Sequence, residues 1–232
     1  EEGLTQWWDQ VLLPTMANDD GVDVFFSPYI KGPIRVRCPL VVTIHDLMDL
    51  VFPEYGGGRL STALFKTMAT RVGRRADLIL ADSQYSASDI ARLLGLEQTK
   101  IQVLPIGLEE RYRPLDDSRE LDEVKKRYGI DAPYIYYLGN FKPHKNVQAL
   151  IGAYARLETG LRDRFTLVIG GREDRWFSER QNLVAQLGVA DRVRFIGQVD
   201  EADMPGLYSG AELFVFPSIY EGVGLHPLEA MA

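Results

Sequence analysis

The chain has 232 residues, a formal net charge of −7 and 46% hydrophobic residues. This length suits one large or two small domains, and the acidic balance argues against nucleic acid as a partner. The single cysteine, Cys38, excludes an internal disulfide and favours a reducing compartment. No apolar run reaches the roughly 20 residues that span a membrane, and no signal peptide is visible. We therefore predict a cytoplasmic protein.

Helices and strands alternate through the first half of the chain. The predicted helices are 4–17, 60–75 and a segment that a capping box of Ser86 and Asp89 opens and Gly95 ends; the predicted strands are 22–26, 39–44, 78–81 and 101–104. The segment 39–44 is apolar throughout, which predicts a strand buried on both faces. A charged stretch that contains Pro114 follows, and we place a domain boundary there, between residues 112 and 113.

The second half repeats the alternation. Strands are predicted at 134–138, 165–169, 193–196 and 213–216, with helices at 121–128, 147–157, 176–187 and 201–208. Such alternation indicates right-handed βαβ units, so the predicted fold class is α/β with two Rossmann-like lobes, 1–112 and 113–232. Ligands of these sheets bind at the carboxyl ends of the strands. The unusual residues gather there: His45, Asp46, Gly139, Asn140, Gly170, Gly171, Gly197 and Pro217.

The last seventeen residues, FPSIYEGVGLHPLEAMA, carry the most informative pattern. Glu221 precedes a turn with Gly222 and Gly224, then Pro227 is expected at the first position of a helix and Glu229 in its first turn. The unpaired N–H groups after the second glycine and the helix dipole predict a phosphate site. Carboxylates would repel the phosphate, so the two acids are better used on sugar hydroxyls. The pattern predicts a sugar nucleotide as the ligand.

This string resembles the Glu-x7-Glu signature of retaining glycosyltransferases of family 4, which have the GT-B fold, and the resemblance extends along nearly the whole chain. It implies transfer of a hexose from a nucleotide-diphosphate sugar to an acceptor hydroxyl with retention, in bacterial polysaccharide or glycolipid assembly. It implies a carbohydrate or lipid-linked acceptor, no cofactor, and GDP-mannose as the slightly favoured donor. By the same resemblance both lobes are expected to be incomplete, and the 232 residues alone to be poorly active and prone to associate.

The resemblance assigns roles residue by residue. Glu221 would hold hexose hydroxyls, Glu229 the ribose and Lys145 the diphosphate. His45 lies in a stretch similar to the family's Val-Thr-x-His-Asp and would face the reacting sugar from the acceptor lobe. Asp46 would orient either the loop or the imidazole ring. The predicted catalytic residues are therefore His45, Lys145 and Glu221.

The stretch YLGNFKPHKNVQAL departs from the family's Gly-Arg-x-x-x-Lys element. Asn140 stands in the position of the arginine, so His144 or Lys142 is the expected substitute donor, while Asn146 is a predicted N-cap beside Lys145. The other predicted substrate-binding positions are Gly170 and Gly197, near the base, and Gly222, Val223, Gly224 and Leu225, around the phosphates.

The resemblance assigns no role to the remaining polar features of the sequence. His226 is expected to face solvent or acceptor, and the basic helix end of Arg71, Arg74 and Arg75 to complement the dipole or to contact a membrane surface weakly. No Asp-x-Asp pair and no Cys/His cluster is present, so no metal is predicted. Two alternative functions stay open: a non-catalytic sugar-nucleotide-binding module, favoured by Asn140, and an NAD-dependent oxidoreductase, for which the partial Gly-x-Gly turn is weak support.

Overall fold

The structure, a computed structural model, describes residues 7–55 and 57–232, which fall into two compact units. The first unit runs to Gly107 and also takes in Glu221–Val223; the second holds Leu108–Tyr220 and Gly224–Ala232. The division in the linker thus lies a few residues before the predicted boundary. The inclusion of Glu221–Val223 in the first unit was not predicted.

A parallel sheet forms the centre of the first unit. Its four strands, in sequence order, are β1 (Phe25–Ser27), β2 (Leu40–Thr43), β3 (Leu78–Ala81) and β4 (Ile101–Val103). Leu40 and Val42 lie on one face of β2 and are fully buried, whereas on the other face Thr43 is buried and Val41 half-buried, so the predicted burial on both faces is confirmed in part. The first strand begins later than predicted, because its pairing with β2 starts only at Phe25.

Helices of the first unit largely follow the predicted segments. They are a π-helix (Trp8–Leu12), α1 (Leu13–Asp19), the unpredicted α2 (Met48–Val51), α3 (Arg59–Arg75), α4 (Gln84–Leu94) and a 3₁₀ turn (Gln98–Lys100). The predicted helix 4–17 is confirmed from Trp8 onward, and its residues 4–6 lie outside the described ranges. Pro14 lacks the N–H of an i→i−4 bond, which fits the change from π to α geometry there.

The predicted capping box on α4 is wrong. Ser83 is the N-cap, and its hydroxyl accepts a hydrogen bond from the backbone N–H of Ser86 at 3.0 Å. Ser86 is buried instead, and Asp89 pairs with Arg92 rather than with the helix end. The predicted stop is confirmed, because Gly95 closes the helix in the left-handed region.

The second unit is built on another parallel sheet of four strands, in the order β7-β6-β5-β8. The strands are β5 (Tyr134–Leu138), β6 (Thr166–Gly170), β7 (Val193–Gly197) and β8 (Leu213–Phe214), and the helices are α5 (Ser118–Arg127), α6 (Val147–Ala155), the unpredicted α7 (Thr159–Arg164), α8 (Phe177–Gln186), α9 (Met204–Ser209) and α10 (Leu225–Met231), with a 3₁₀ turn at Pro143–Lys145. Alternate residues of β5 enter two different apolar clusters, Tyr137 one and Tyr134 with Tyr136 the other.

Two details of the last helix differ from the prediction. α10 begins at Leu225, so Pro227 is its third residue and Glu229 its fifth, beyond the first turn. Gly224 supplies the helix start with a left-handed φ of 75°, which a glycine adopts without strain. None of the helices in the described ranges has the length and apolar character needed to cross a membrane.

Candidate functional sites of the two units

His45 follows β2, and each of its ring nitrogens lies close to an oxygen atom. Its Nδ1 lies 2.7 Å from a carboxylate oxygen of Asp82, and its Nε2 lies 3.1 Å from the carbonyl oxygen of Pro28. A carboxylate only accepts, so Nδ1 carries a hydrogen in the contact with Asp82, and the ring orientation is fixed. The side chain is still 48% exposed, which leaves the imidazole accessible to a ligand.

Asp46 orients the loop rather than the ring. Its carboxylate accepts a hydrogen bond from the backbone N–H of Met48 at 2.9 Å and so tethers the start of α2. Asp82 has the ring-orienting role that the sequence analysis left open for Asp46. Asp82 was missed, although it directly follows β3, the strand next to β2, where the carboxyl ends of parallel strands meet.

The segment Glu221–Val223 packs on the loop of His45 within the first unit. A Cβ on Gly222 would stand 2.7 Å from the carbonyl oxygen of His45, so only glycine allows this approach. The Gly222 carbonyl accepts hydrogen bonds from the hydroxyls of Ser83 at 2.5 Å and Ser86 at 3.2 Å. The residue next to Glu221 is therefore fixed beside the histidine.

A cavity of about 500 Å³ opens beside His45 in the first unit. Its wall combines polar and aromatic side chains, among them Asp9, Tyr29, Lys31, Asp46, Asp49 and Tyr55. The ring centroid of Tyr29 lies 6.2 Å from that of His45, and Tyr55 stacks on Phe52 at 5.2 Å. This volume is in the range of small-molecule sites, about 300–1,000 Å³.

Three glycine turns meet at the ends of β5, β6 and β7 in the second unit. Gly139 N–H donates to the Gly170 carbonyl at 3.0 Å, and Gly171 N–H donates to the Gly197 carbonyl at 2.7 Å. A Cβ on Gly171 would stand 1.9 Å from the Gly139 carbonyl oxygen. Backbone packing alone therefore requires glycine here, and contact of Gly170 and Gly197 with a base stays a prediction.

The turn after β5 is shaped by its own side chains. The side-chain oxygen Oδ1 of Asn140 accepts a hydrogen bond from the backbone N–H of Lys142 at 3.2 Å. The residue in the position of the family's arginine therefore stabilises the turn. Asn146 takes a left-handed φ of 55° and gives no side-chain cap; its amide donates to the Pro217 carbonyl at 3.2 Å. Asn146 is thus the N-cap of α6 as predicted, but its side chain contacts Pro217 and makes no hydrogen bond to the helix start.

Lys145 and His144 are placed very differently. The Lys145 ammonium lies 5.5 Å from the centre of the Phe216 ring, on the segment that leads toward Glu221. His144 is only 1% exposed, and its carbonyl accepts from Ile219 N–H at 2.9 Å. Burial makes His144 a poor substitute for the missing arginine, while the partly exposed Lys142 remains a candidate.

Asp174 and Arg180, which sequence reasoning missed, hold the backbone of Phe141 from two sides. An Asp174 oxygen accepts from Phe141 N–H at 2.9 Å, and the Arg180 guanidinium donates to the Phe141 carbonyl at 3.5 Å. Arg180 is 3% exposed and also pairs with Glu179 at 3.0 Å. These contacts fix the turn that carries Asn140.

Glu229 is the centre of a polar cluster with Tyr208 and His226. Its Oε2 lies 2.8 Å from the Tyr208 hydroxyl and 2.9 Å from His226 Nδ1. Burial, and then the hydrogen bond to Glu229, raises the pKa of Tyr208, so the phenol stays a donor. Burial and the charge of Glu229 also raise the pKa of Tyr112. His226 therefore contacts Glu229 through Nδ1, while its side chain stays 29% exposed.

Comparisons with known proteins match both halves of the chain. The profile described as Glycosyltransferase Family 4 matches residues 6–111, and that of Glycosyl transferases group 1 matches residues 119–232. O-antigen chain mannosyltransferase B of Escherichia coli is 31% identical over 210 residues, which are 90% of this chain and 54% of that protein. Mannosylfructose-phosphate synthase of Agrobacterium fabrum is 29% identical, over 99% of this chain and 56% of that protein.

The chain belongs to glycosyltransferase family 4. The solved structure of Anabaena Alr3699/HepE in complex with UDP and glucose superposes with a TM-score of 0.74 at 21% identity, over 95% of this chain and 59% of that one. That likeness confirms the predicted class, α/β with two parallel sheets of the GT-B type. The family 4 chain spans about half the length of the curated relatives named here.

The family 4 assignment replaces the oxidoreductase alternative and sets the predicted site in context. In this chain the Glu-x7-Glu acids belong to different units, Glu221 to the first and Glu229 to the second. His45, Asp46, Gly222 and Val223 share the first unit, whereas Asn140, His144, Lys145, Gly170, Gly197, Gly224 and Leu225 share the second with Glu229. Tyr208 gave no recognisable signal in the sequence, because a tyrosine in a helix is most often a core residue.

Proposed function

We propose that the protein carrying this chain transfers a hexose from a nucleotide-diphosphate sugar to an acceptor hydroxyl, with retention, in bacterial polysaccharide or glycolipid assembly. The observation that carries the proposal is the packing of Gly222 on the His45 loop. It places the first acid of the Glu-x7-Glu motif in the same unit as the histidine that the family resemblance assigns to the reacting sugar.

The roles follow from the chemistry of the side chains. Glu221 accepts hydrogen bonds from hexose hydroxyls, and His45 faces that hexose. Glu229, which also accepts a hydrogen bond from the Tyr208 hydroxyl, accepts hydrogen bonds from the ribose hydroxyls. Lys145 and backbone N–H groups hold the diphosphate and stabilise the charge that develops on it. The acceptor oxygen bonds to the anomeric carbon as the bond to the diphosphate breaks, and a diphosphate oxygen takes the hydroxyl proton. The absence of a metal from this step stays a prediction.

The names of the relatives favour mannose and a polysaccharide acceptor. The Escherichia coli relative acts on the O-antigen chain as a mannosyltransferase by its name, and the other relative is named for mannosylfructose phosphate. The solved neighbour carries UDP and glucose, but at 21% identity it supports the fold alone. GDP-mannose is therefore the first donor to test, with UDP-glucose beside it.

The test is a donor panel on the whole protein. Calorimetry with GDP, UDP, GDP-mannose and UDP-glucose identifies the base and the sugar, and NMR of the product with an acceptor identifies the anomeric configuration. Retention with a mannose donor is the expected result, and an inverted product contradicts it. Tight donor binding with no transfer and no hydrolysis would favour a non-catalytic binding module, the alternative that the absence of a guanidinium at Asn140 supports.

A further inference from the structure

The cavity beside His45 has an uneven charge. Among its described lining residues, the carboxylates of Asp9, Asp46 and Asp49 stand against one ammonium, that of Lys31. All these residues belong to the first unit and lie on the π-helix, on α2 and on the turns after β1 and β2. The whole chain is also acidic, with a net charge of −7. The electrostatic field in this cavity therefore opposes the entry of an anion.

Hydrogen-bonding groups in the cavity suit hydroxyls. An ionised carboxylate is an acceptor only, so Asp9 and Asp49 pair with groups that donate, such as the O–H groups of a sugar. Gln10, which also lines the cavity, is already used: its amide donates to the Gly32 carbonyl at 3.0 Å and accepts from Ile34 N–H at 3.1 Å. Recognition by charge-assisted bonds thus rests on the aspartates.

Aromatic side chains complete the cavity. Tyr29 is 58% exposed beside His45, and Tyr55 is braced by its stacking on Phe52. Such rings offer an apolar face with a polar tip, which matches the C–H face and hydroxyl rim of a pyranose. A wall of carboxylates and tyrosines fits an uncharged sugar and fits a phosphate poorly.

We infer that this cavity takes an uncharged saccharide, the non-reducing end of a neutral glycan acceptor, and discriminates against acceptors that carry a phosphate or a carboxylate near the reacting hydroxyl. The inference rests on the proposed glycosyl transfer and adds the chemical class of the acceptor to it. Asp49 and Asp9 are the residues that set the preference, since Asp46 is engaged with the start of α2.

The experiment compares a neutral hexoside with the same hexoside carrying a 6-phosphate. Saturation-transfer NMR on the whole protein without donor measures binding, and product formation with donor measures transfer. The wild-type protein is expected to prefer the neutral compound at least about tenfold. Asp49→Asn and Asp9→Asn are expected to weaken binding of the neutral hexoside, and Asp49→Lys to move the preference toward the phosphorylated one about tenfold or more. Asp23→Asn, an exposed residue away from the cavity lining, is the matched control and leaves the ratio unchanged.

Equal or better use of the phosphorylated hexoside by the wild type overturns the inference, as does an unchanged ratio in folded Asp49→Lys. Thermal unfolding of each variant checks its folding, and the milder Asp49→Asn keeps the test decisive if Asp49→Lys does not fold. Hydrolysis of the donor in the absence of acceptor reports separately on the proposed function. A protein that binds the neutral hexoside with the expected charge preference but never cleaves the donor would retain this inference and lose the proposed function.

Discussion

At the scale of single residues, the candidate sites consist of acids and a histidine whose orientation is set by neighbours. Asp82 holds His45, and Tyr208 with His226 holds Glu229, at distances of 2.7 to 2.9 Å for the three contacts to carboxylate oxygens. Each such contact involves an ionised acceptor and contributes more than a neutral hydrogen bond. Orientation by a neighbouring residue is therefore measurable separately from direct contact with a ligand.

Replacing the two motif acids, Glu221 and Glu229, is expected to weaken the binding of different ligands. Glu229→Ala should weaken binding of the free nucleotide itself, because the ribose loses its acceptor, whereas Glu221→Ala should spare the nucleotide and weaken only the sugar nucleotide. Calorimetry with both ligands checks this. Equal losses for the two variants would contradict the assignment of the two roles.

Tyr208→Phe is expected to reproduce a part of the Glu229 defect. A hydrogen bond from a hydroxyl to a carboxylate contributes about 1.5 kcal/mol. If that energy orients Glu229 toward the ribose, its loss lowers nucleotide affinity about tenfold. The ring that packs on Phe214 at 5.1 Å is retained, so thermal stability should change little. Nucleotide affinity equal to that of the wild type would show that Tyr208 is a packing residue only.

Asp82→Asn tests the positioning of His45. An asparagine oxygen can still accept from Nδ1–H, but without charge, so turnover is expected to fall about tenfold while nucleotide affinity stays unchanged. Asp77→Asn, at another carboxylate of the same unit, is the control for a general loss of folding.

At the scale of elements, close backbone approach decides which turns can be built. Gly139, Gly171 and Gly197 join three neighbouring strand ends by main-chain hydrogen bonds. Asp77 joins the starts of β2 and β3 in a similar way, since its N–H donates to the Leu40 carbonyl and its carboxylate accepts from Leu40 N–H, both at 2.8 Å.

Gly171→Ala is expected to destabilise the second unit by about 3 kcal/mol or more, because the new Cβ meets the Gly139 carbonyl at 1.9 Å and the residue has a φ of 155°. Gly152→Ala, inside α6 with no atom within 4 Å of the new Cβ, is the matched control and should gain up to about 1 kcal/mol. Denaturant unfolding measures both, and a tolerated Gly171→Ala would refute the packing of the three turns.

The contribution of Asp77 depends on pH. The backbone N–H of Leu40 and the Arg75 guanidinium lower the pKa of Asp77 against the opposing effect of burial. A carboxyl with a lowered folded pKa stabilises the fold above its unfolded pKa, about 3.9, and loses that contribution as pH falls through the folded pKa. Asp77→Asn should therefore cost a few tenths of a kcal/mol at pH 7, since solvent screens this exposed pair, and less at about pH 3, below the unfolded pKa. A cost that is the same at both pH values in urea unfolding contradicts this.

Periodicity and composition predicted the elements better than their ends. β3 and β5 have the predicted bounds, because each is a continuous apolar run with clear ends, Asp77 and Asp82 around β3 and Pro133 and Gly139 around β5. The N-cap of α4 was assigned to Ser86 because Asp89 follows it at capping-box spacing, yet Ser83 caps the helix and Ser86 is used on the His45 and Gly222 carbonyls. Such long-range hydrogen bonds leave no local pattern, and for the same reason Asp82, Tyr208 and Arg180 were not predicted.

At the scale of the whole molecule, each unit has its own apolar clusters and the chain as a whole is acidic. The cluster of the first unit contains Val42 and Ile79. In the second unit one cluster contains Tyr137 and Ile151, and another contains Tyr134 and Leu207. The nucleotide-diphosphate donor proposed above is anionic, so the net charge of −7 would oppose its binding and local cations would have to supply the attraction.

Lys145→Ala is expected to lower affinity for a nucleoside diphosphate about tenfold and for the nucleoside hardly at all. The attraction is electrostatic, so the difference between wild type and variant should shrink as salt is raised. Lys66→Ala, exposed on α3 of the first unit, is the control for a change of net charge alone. Equal effects of the two substitutions would make Lys145 a contributor to the overall field and not a diphosphate ligand.

The assignment of Glu221–Val223 to the first unit has a consequence for exchanging parts between relatives. A chimera joined at the linker after Gly107 would bring these three residues from one parent and Ser83, Ser86 and His45 from the other. The hydroxyls of Ser83 and Ser86 lie at hydrogen-bond distance from the Gly222 carbonyl. In such a chimera these partners come from different parents, so Glu221 would be misaligned even if the second half carried the residues that select the donor. Donor exchange within this family should therefore succeed more often when residues 82–86 travel with the graft.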